Sequence, residues 1–386
     1  MQNTLPQPRP LRAFIVRIEG PTESPEQSEE YLEELLFLVR SAGHEIAAVQ
    51  AYRWRRPDPA TFLTPGRVEE MRTQLQAQKD AVDFVLVDAD LSPVQVRNLE
   101  NAWEKPVTDR EGLILEIFAR NARTAQAQAQ VELARLQYEL PRLAHRWTHL
   151  SRERGGIGLR GGGGEQQLEA DRRKIRAQIA RLRQRLKEFA RQAAVRRDRR
   201  DSLPRVALVG YTNVGKSTLM RLITKAPVLV ADRLFATLDT TTRRVVLEGM
   251  PFLLSDTVGF IRKLPPTLLE AFHTTLAEVR EADLLLLVAD LSSPGYIEQI
   301  RTVERTLETI GAADIPILLV MNKIDRLPPD QRELVEQSWL AQTRYPTVFV
   351  SATQKEGLPT LYQTLVSLLR QIRPDAARDA RLSPPL

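Results

Sequence analysis

At 386 residues the chain is too long for one small domain and suits two or three. It contains no cysteine, which excludes disulfide frameworks, cysteine-based zinc sites and thiol catalysis. A net charge of +6 with a 42% apolar fraction permits an acidic partner around real cores, and no run of about 18 apolar residues exists to span a membrane.

Residues 1–10 read as a flexible tail without the apolar stretch of a signal peptide. Residues 11–125 read as a small α/β domain. Its strands are expected at Ala13–Ile18, Ile46–Tyr52, Asp83–Asp88 and Pro106–Asp109. Helical spacing covers Gln27–Arg40, Val68–Gln78 and, capped by Ser92, the run to about Ala102. No nucleotide loop is present in this region. Thr64-Pro-Gly-Arg67 reads as a turn before a helix, structural rather than catalytic.

From Glu111 to Leu143 the pattern is helical, and Pro141 should bend or end that helix near Glu139. Ala129, Leu133, Leu136, Leu140 and Leu143 form one apolar stripe. Leu168, Ile175, Ile179, Leu182, Leu186 and Phe189 form a second. Residues 126–198 are therefore expected to make an antiparallel helical hairpin. Its loop, 151–165, holds seven glycines and several arginines. Arg172, Arg173, Lys174, Arg176, Arg181, Arg183, Arg185 and Lys187 follow, and Arg196, Arg197, Arg199 and Arg200 lead onward. Arginines flanking a glycine tip suit phosphate contacts in structured RNA, and nothing here resembles a reader of double-stranded DNA. Trp147, with His145 and His149, can stack on RNA or anchor a core. The two histidines are four apart, but no third metal ligand lies near them.

Residues 204–372 carry the chemistry. The strand Val206–Val209 runs into Gly210-Tyr211-Thr212-Asn213-Val214-Gly215-Lys216-Ser217 and then into a helix that begins with Thr218. This is the order that a phosphate-cradling loop needs. Its glycines allow several N–H groups to face one anion, Lys216 can reach the β- and γ-phosphates, and the Ser217 hydroxyl can hold Mg²⁺. Adjacent strands at Arg243–Leu247 and Pro251–Ser255 deliver Asp256-Thr257-Val258-Gly259. Asp256 can hold Mg²⁺ through water, and the Gly259 N–H can meet a γ-phosphate. Further strands at Asp283–Asp290 and Ile317–Met321 lead to Asn322-Lys323-Ile324-Asp325. Asp325 offers two acceptors to the N1 and N2 donors of guanine. Asn322 can tie the base loop to the phosphate loop, and the stem of Lys323 can cover the base. Ser351-Ala352-Thr353, after Val348–Val350, can complete the pocket. Helices are expected near 216–224, 268–280, 296–310, 330–340 and 358–370. Four motifs in the required order at strand ends imply GTP binding on a mostly parallel sheet with helices on both faces. Phe260 occupies the place just after the aspartate motif and cannot orient water, so slow intrinsic turnover raised by a partner is expected. Residues 373–386 read as a flexible tail.

Beyond these motifs the chain resembles the HflX family of ribosome-associated GTPases, in the Obg-like group of the translation-factor class. The resemblance rests on Leu91–Glu100, Val107–Ala119, Gln130–Ala134, Gly155–Gly161 with Glu165 and Asp171–Arg173, and Leu234–Asp239 with Thr241. It implies a cytoplasmic, monomeric, Mg²⁺-dependent GTPase, with peripheral membrane association as a further option. The implied partners are the 50S subunit and the 70S ribosome, including large-subunit rRNA, with no stable DNA partner. Family members split or rescue stalled ribosomes under stress, with the large subunit stimulating hydrolysis. The resemblance favours Thr237 as the Mg²⁺-binding threonine of the first switch, with Thr241 as the alternative. Lys216, Thr237 and Gly259 are then the catalytic set, and Ser217, Thr237 and Asp256 the metal set. Three departures stand out: Arg160-Gly-Gly-Gly-Gly-Glu165 lacks the family's proline, Thr240 replaces another proline, and the Thr64–Arg67 turn lacks the usual lysine. A ribosome-assembly or RNA-processing GTPase, or a GTP-switched protein scaffold, remains the alternative from the residues alone.

Overall fold

A computed structural model of the chain describes residues 9–53, 56–143, 163–198, 203–224, 241–262, 268 and 273–374. The expectations for residues 1–8, His145, Trp147, His149, positions 151–162 of the glycine–arginine loop, Arg199, Arg200, Thr237, Thr240 and residues 375–386 lie outside that set. Two compact units emerge, one of residues 1–120 and 131–184, the other of residues 121–130 and 185–386.

In the first unit, β1 (Arg12–Glu19), β2 (Glu45–Arg53), β3 (Phe84–Val87) and β4 (Val107–Asp109) form a parallel sheet in the order β2-β1-β3-β4. Central β1 is buried through Ala13–Ile18, as a strand covered on both faces must be. Edge β2 alternates instead, with only Tyr52 fully buried. The connecting helices are α1 (Pro25–Ser41), α2 (Pro65–Ala77) and α3 (Pro93–Trp103). Helices α1 and α3 each begin with a capping box, Ser24 with Gln27 and Ser92 with Gln95. Helix α2 has no such cap at Thr64. One core gathers Phe14, Val16, Met71, Leu75, Val85, Leu99 and Trp103.

The single helix expected over Glu111–Leu143 is two helices, α4 (Arg110–Asn121) and α5 (Ala125–Glu139). The break has a local cause: the Thr124 hydroxyl accepts from the Ala127 amide at 3.1 Å and caps a new helix. The end at Glu139 falls where Pro141 requires it. Ala129, Leu133 and Leu136 are buried, while Leu140 is half-buried. Helix α6 (Gly163–Asp198) is continuous, and Ile179 and Leu186 are its buried stripe positions.

The second unit holds a six-stranded sheet built from β5 (Arg205–Gly210), β6 (Thr241–Leu247), β7 (Met250–Asp256), β8 (Leu284–Asp290), β9 (Ile317–Asn322) and β10 (Thr347–Phe349). Its order is β10-β9-β8-β5-β7-β6, parallel except for the β6–β7 pair. Strands β8 and β9 are buried along almost their whole length. The helices are α7 (Lys216–Thr224), α8 (His273–Arg280), α9 (Tyr296–Thr309), α10 (Pro329–Gln342) and α11 (Leu358–Ile372). Helix α11 packs Leu361, Leu365, Val366 and Leu369 into the core. Parallel strands β5, β7, β8 and β9 all present their carboxyl ends on one edge, where an open α/β sheet binds ligands.

Candidate active site

The loop from β5 to α7 is shaped by two glycines that no other residue could replace. A Cβ on Gly210 would stand 2.3 Å from the Val288 carbonyl oxygen, and φ there is +153°. A Cβ on Gly215 would stand 2.3 Å from Asn322 Nδ2, at φ +98°. Asn213 between them is left-handed, φ 62°. Tyr211, Thr212 and Val214 are buried, whereas Asn213 is exposed. Lys216 opens α7 and is also buried. Its Nζ donates to the carbonyls of Gly210 at 3.0 Å and Tyr211 at 2.7 Å. Burial pulls its pKa down from 10.5 to about 8, and Asp256 offsets this in part. A desolvated ammonium between two neutral carbonyls suits an anion as its third partner, and this donor set fits a phosphate.

Ser217 Oγ donates to Asp256 Oδ2 at 3.0 Å. Asp256 is buried at the end of β7, and its neighbour Thr257 donates to the Leu208 carbonyl at 2.6 Å. A hydroxyl and a carboxylate held together as hard oxygen donors fit Mg²⁺. Thr241, the first residue of β6, lies opposite Asp256 in the strand register.

Beyond Asp256 the chain returns to the phosphate loop. The Thr212 amide donates to the Phe260 carbonyl at 2.7 Å, and the Phe260 amide to the Gly210 carbonyl at 3.0 Å. Tyr211 and Phe260 thus pair as a short parallel bridge. The Arg262 amide donates to the Tyr211 hydroxyl at 2.7 Å. Val258 and Phe260 are buried. Gly259 fits so closely that a Cβ would meet Thr212 Cγ2 at 2.8 Å and Lys216 Nζ at 3.0 Å. This use of the Tyr211 hydroxyl was not readable in the motif, because its partner is a backbone amide 51 residues away.

On the other side, Asn322 is a strut. Its Nδ2 donates to the Val214 carbonyl at 2.7 Å, and its Oδ1 accepts from the Ala352 amide at 3.0 Å. Lys323 is left-handed, φ 65°, and its Nζ pairs with Asp290 at 2.6 Å. In the sequence Asp290 reads only as the end of a strand. Its position opposite Asn322 in the β8–β9 register was the available signal. Asp325 accepts from the Thr353 hydroxyl at 3.4 Å. Ser351 is fully buried, and its Oγ accepts from the Gln354 amide at 3.0 Å. The loops bearing Asn322–Asp325 and Ser351–Thr353 are therefore joined to each other and to the phosphate loop. Of the expected site residues only Thr237 lies outside the described ones.

Three family models match the chain: "GTP-binding GTPase N-terminal" over residues 29–119, "GTP-binding GTPase Middle Region" over 121–200 and "50S ribosome-binding GTPase" over 205–323. The GTPase HflX of Flavobacterium psychrophilum is 43% identical over 378 residues, covering 94% of this chain and 91% of the relative. That of Magnetococcus marinus is 45% identical over 359 residues, covering 92% and 82%. That of Escherichia coli is 45% identical over 347 residues, covering 88% and 79%. Among solved structures, the complex of SsGBP with GDP is 25% identical with a TM-score of 0.50, covering 94% of this chain and 99% of that one.

Proposed function

Because this chain belongs to the HflX family of GTPases, we propose that its GTP phosphohydrolase activity drives work on the 50S subunit and the 70S ribosome, the splitting or rescue of stalled particles under stress. The observation that carries this reading is the extent of the likeness, which runs through the N-terminal and middle regions as well as the GTPase motifs. The protein works in the cytoplasm as a monomer, and contact with large-subunit rRNA falls to the region before the GTPase domain. Its working division is an N-terminal domain at 11–125, a basic hairpin at 126–198 and the GTPase domain at 204–372. Among the described residues no helix is long and apolar enough to cross a membrane.

In the nucleotide site, Lys216 and the amides of residues 211–218 hold the phosphates. Ser217 and Asp256 hold Mg²⁺, together with Thr237 or, failing that, Thr241. When bound, the ion would offset negative charge on the phosphate oxygens. Thr257, Val258 and Gly259 bring an amide to the terminal phosphate. Asp325 reads guanine, Asn322 and Lys323 shape its loop, and Ser351, Ala352 and Thr353 close the pocket. Support for these roles comes from the buried Lys216 ammonium and from the Asn322 strut. The buried Phe260 has no group able to orient water, so a partner completes the catalytic set.

The test is cosedimentation with purified 30S, 50S and 70S particles in GTP-analogue and GDP states, with hydrolysis followed in parallel. Nucleotide-dependent 50S binding, loss of 70S particles and faster hydrolysis with 50S are expected. No ribosomal binding in either state at moderate salt would reject the proposal. Deleting residues 155–164 should cost splitting more than GTP binding. Equal loss of both would make the loop a folding element.

A further inference from the structure

Asp290, the last residue of β8, lies outside the set of direct nucleotide ligands, yet it meets the Lys323 Nζ at 2.6 Å. The two side chains are 13% and 16% exposed. Among the described residues of the second unit, every other ion pair has a partner more exposed than either. Exposed pairs contribute little, because water and salt screen them and two long side chains must be ordered. A sheltered pair is screened much less, so this one has the means to hold a side chain in place.

The two carboxylate oxygens of Asp290 do different work. Oδ1 accepts from the Ser292 amide at 3.0 Å and from the Ser292 hydroxyl at 2.6 Å, while Oδ2 takes the lysine. The turn goes on into α9: the Ser293 amide donates to the Asp290 carbonyl at 3.2 Å, and Gln299 Nε2 to Ser293 Oγ at 2.9 Å. Asp290 also stands opposite Asn322 in the strand register, and the Leu291 amide donates to the Asn322 carbonyl at 3.0 Å. The carboxylate is thus fixed by its own turn before it touches Lys323. The lysine is the opposite case. Its backbone is left-handed, φ 65°, and its side chain is a flexible stem that unpaired would sample many rotamers. Anchoring the Nζ removes that freedom, yet leaves the apolar stem and two of the three ammonium donors unused.

We infer that Asp290 is a positioning residue for the guanine nucleotide: it holds the Lys323 side chain where its stem covers the base. This rests on the reading of Asn322–Asp325 as the guanine loop. The ordering cost of the lysine is then met before the nucleotide arrives, which is preorganisation. Asp290 acts through Lys323 and touches no nucleotide atom itself. Its loss therefore shows in the release of the nucleotide rather than in its entry, since contacts formed after encounter govern dissociation.

The test uses the full chain with Mg²⁺ and methylanthraniloyl-GDP, whose association and release are followed by stopped-flow fluorescence. Asp290→Asn keeps an acceptor for Ser292 and the shape of the side chain but removes the charge. Lys323→Met keeps the apolar stem and removes the ammonium. Asp290→Asn should speed GDP release about fivefold to tenfold, with association within about twofold of the native rate. Lys323→Met should speed release as well, and the double variant should be no faster than the faster single one, as residues acting as one unit require. Ser292→Ala, which trims the turn without touching the pair, should release GDP at the native rate. Fast release in Lys323→Met with native release in Asp290→Asn overturns the inference and leaves the guanine-loop reading standing. Native release in Lys323→Met removes the lysine from the base site and overturns both. Multiplying effects in the double variant, or Ser292→Ala as fast as Asp290→Asn, would show that Asp290 acts through the turn alone and overturn the inference. Should Asp290→Asn fold poorly, Lys323→Arg carries the same test, because it keeps the pair with Asp290. It should release GDP more slowly than Lys323→Met, and equal rates overturn the inference.

Discussion

Lys216 shows how one buried charge sets a pH dependence. Its folded-state pKa is lowered to about 8, so the nucleotide-free protein carries a neutral amine above that pH. The unfolded chain keeps the proton up to about 10.5, so the cost of burial lowers stability below pH 8 and is relieved as pH rises from 8 towards 10.5. Phosphate binding needs the ammonium and therefore runs the other way. GDP affinity should be flat from pH 7 to 8 and then fall, approaching tenfold per pH unit, when measured by fluorescence titration up to pH 9. Lys216→Ala should bind weakly and without that slope; a parallel slope in the variant would remove Lys216 as its source. Asp325 supports a prediction about the base. Guanine presents two donors where xanthine presents one donor and one acceptor, and asparagine offers a matching pair only to xanthine. Asp325→Asn should lose roughly a hundredfold or more in GDP affinity and gain binding of xanthosine diphosphate. Retained guanine preference in competition assays would contradict the role.

At the scale of elements, the segment after β7 and the loop after β5 are joined by three backbone amides, those of Thr212, Phe260 and Arg262. Gly259 in that segment lies close against Lys216, the lysine that a terminal phosphate needs. Binding a triphosphate therefore competes with this joint. Tyr211→Phe deletes the acceptor for the Arg262 amide, a net loss of about 1 kcal/mol. It should shift the ratio of triphosphate-analogue to GDP affinity about fivefold towards the triphosphate. An unchanged ratio, with the melting temperature preserved, would show that the joint is not in competition with the phosphate. Here the limits of the sequence are physical. Motifs such as Gly210–Ser217 were legible because glycine, lysine and serine act within a few residues of one another. The joint was not, because it depends on where tertiary packing carries Phe260. The break between α4 and α5 was missed for a different reason. Periodicity continues through Ala122–Thr124, and one threonine hydroxyl decides it.

At the scale of the molecule, alternating strand and helix signals implied two parallel sheets, and their strand spans were close to those observed. The spatial order β10-β9-β8-β5-β7-β6 was less accessible, since adjacency between β5 and β8 joins residues far apart in the chain. Thr64–Arg67 reads in the sequence as a turn before a helix, but Thr64 is the N-cap of α2 and Pro65–Arg67 form its first turn. Asn322 belongs to this scale because it fastens three loops. One of its bonds reaches back 108 residues to Val214, and the other forward 30 residues to Ala352. The strut also has a consequence in time. A chain leaving the ribosome exposes its phosphate loop early, but cannot brace it until residue 352 has emerged and β10 has joined the sheet. Nascent chains stalled before Ala352 should therefore hold GDP far more weakly than chains extended through α11, as filter binding on stalled complexes would measure. Acquisition of nucleotide thus becomes a marker of completed synthesis, and an incomplete copy of the enzyme is silent while its own ribosome is still making it.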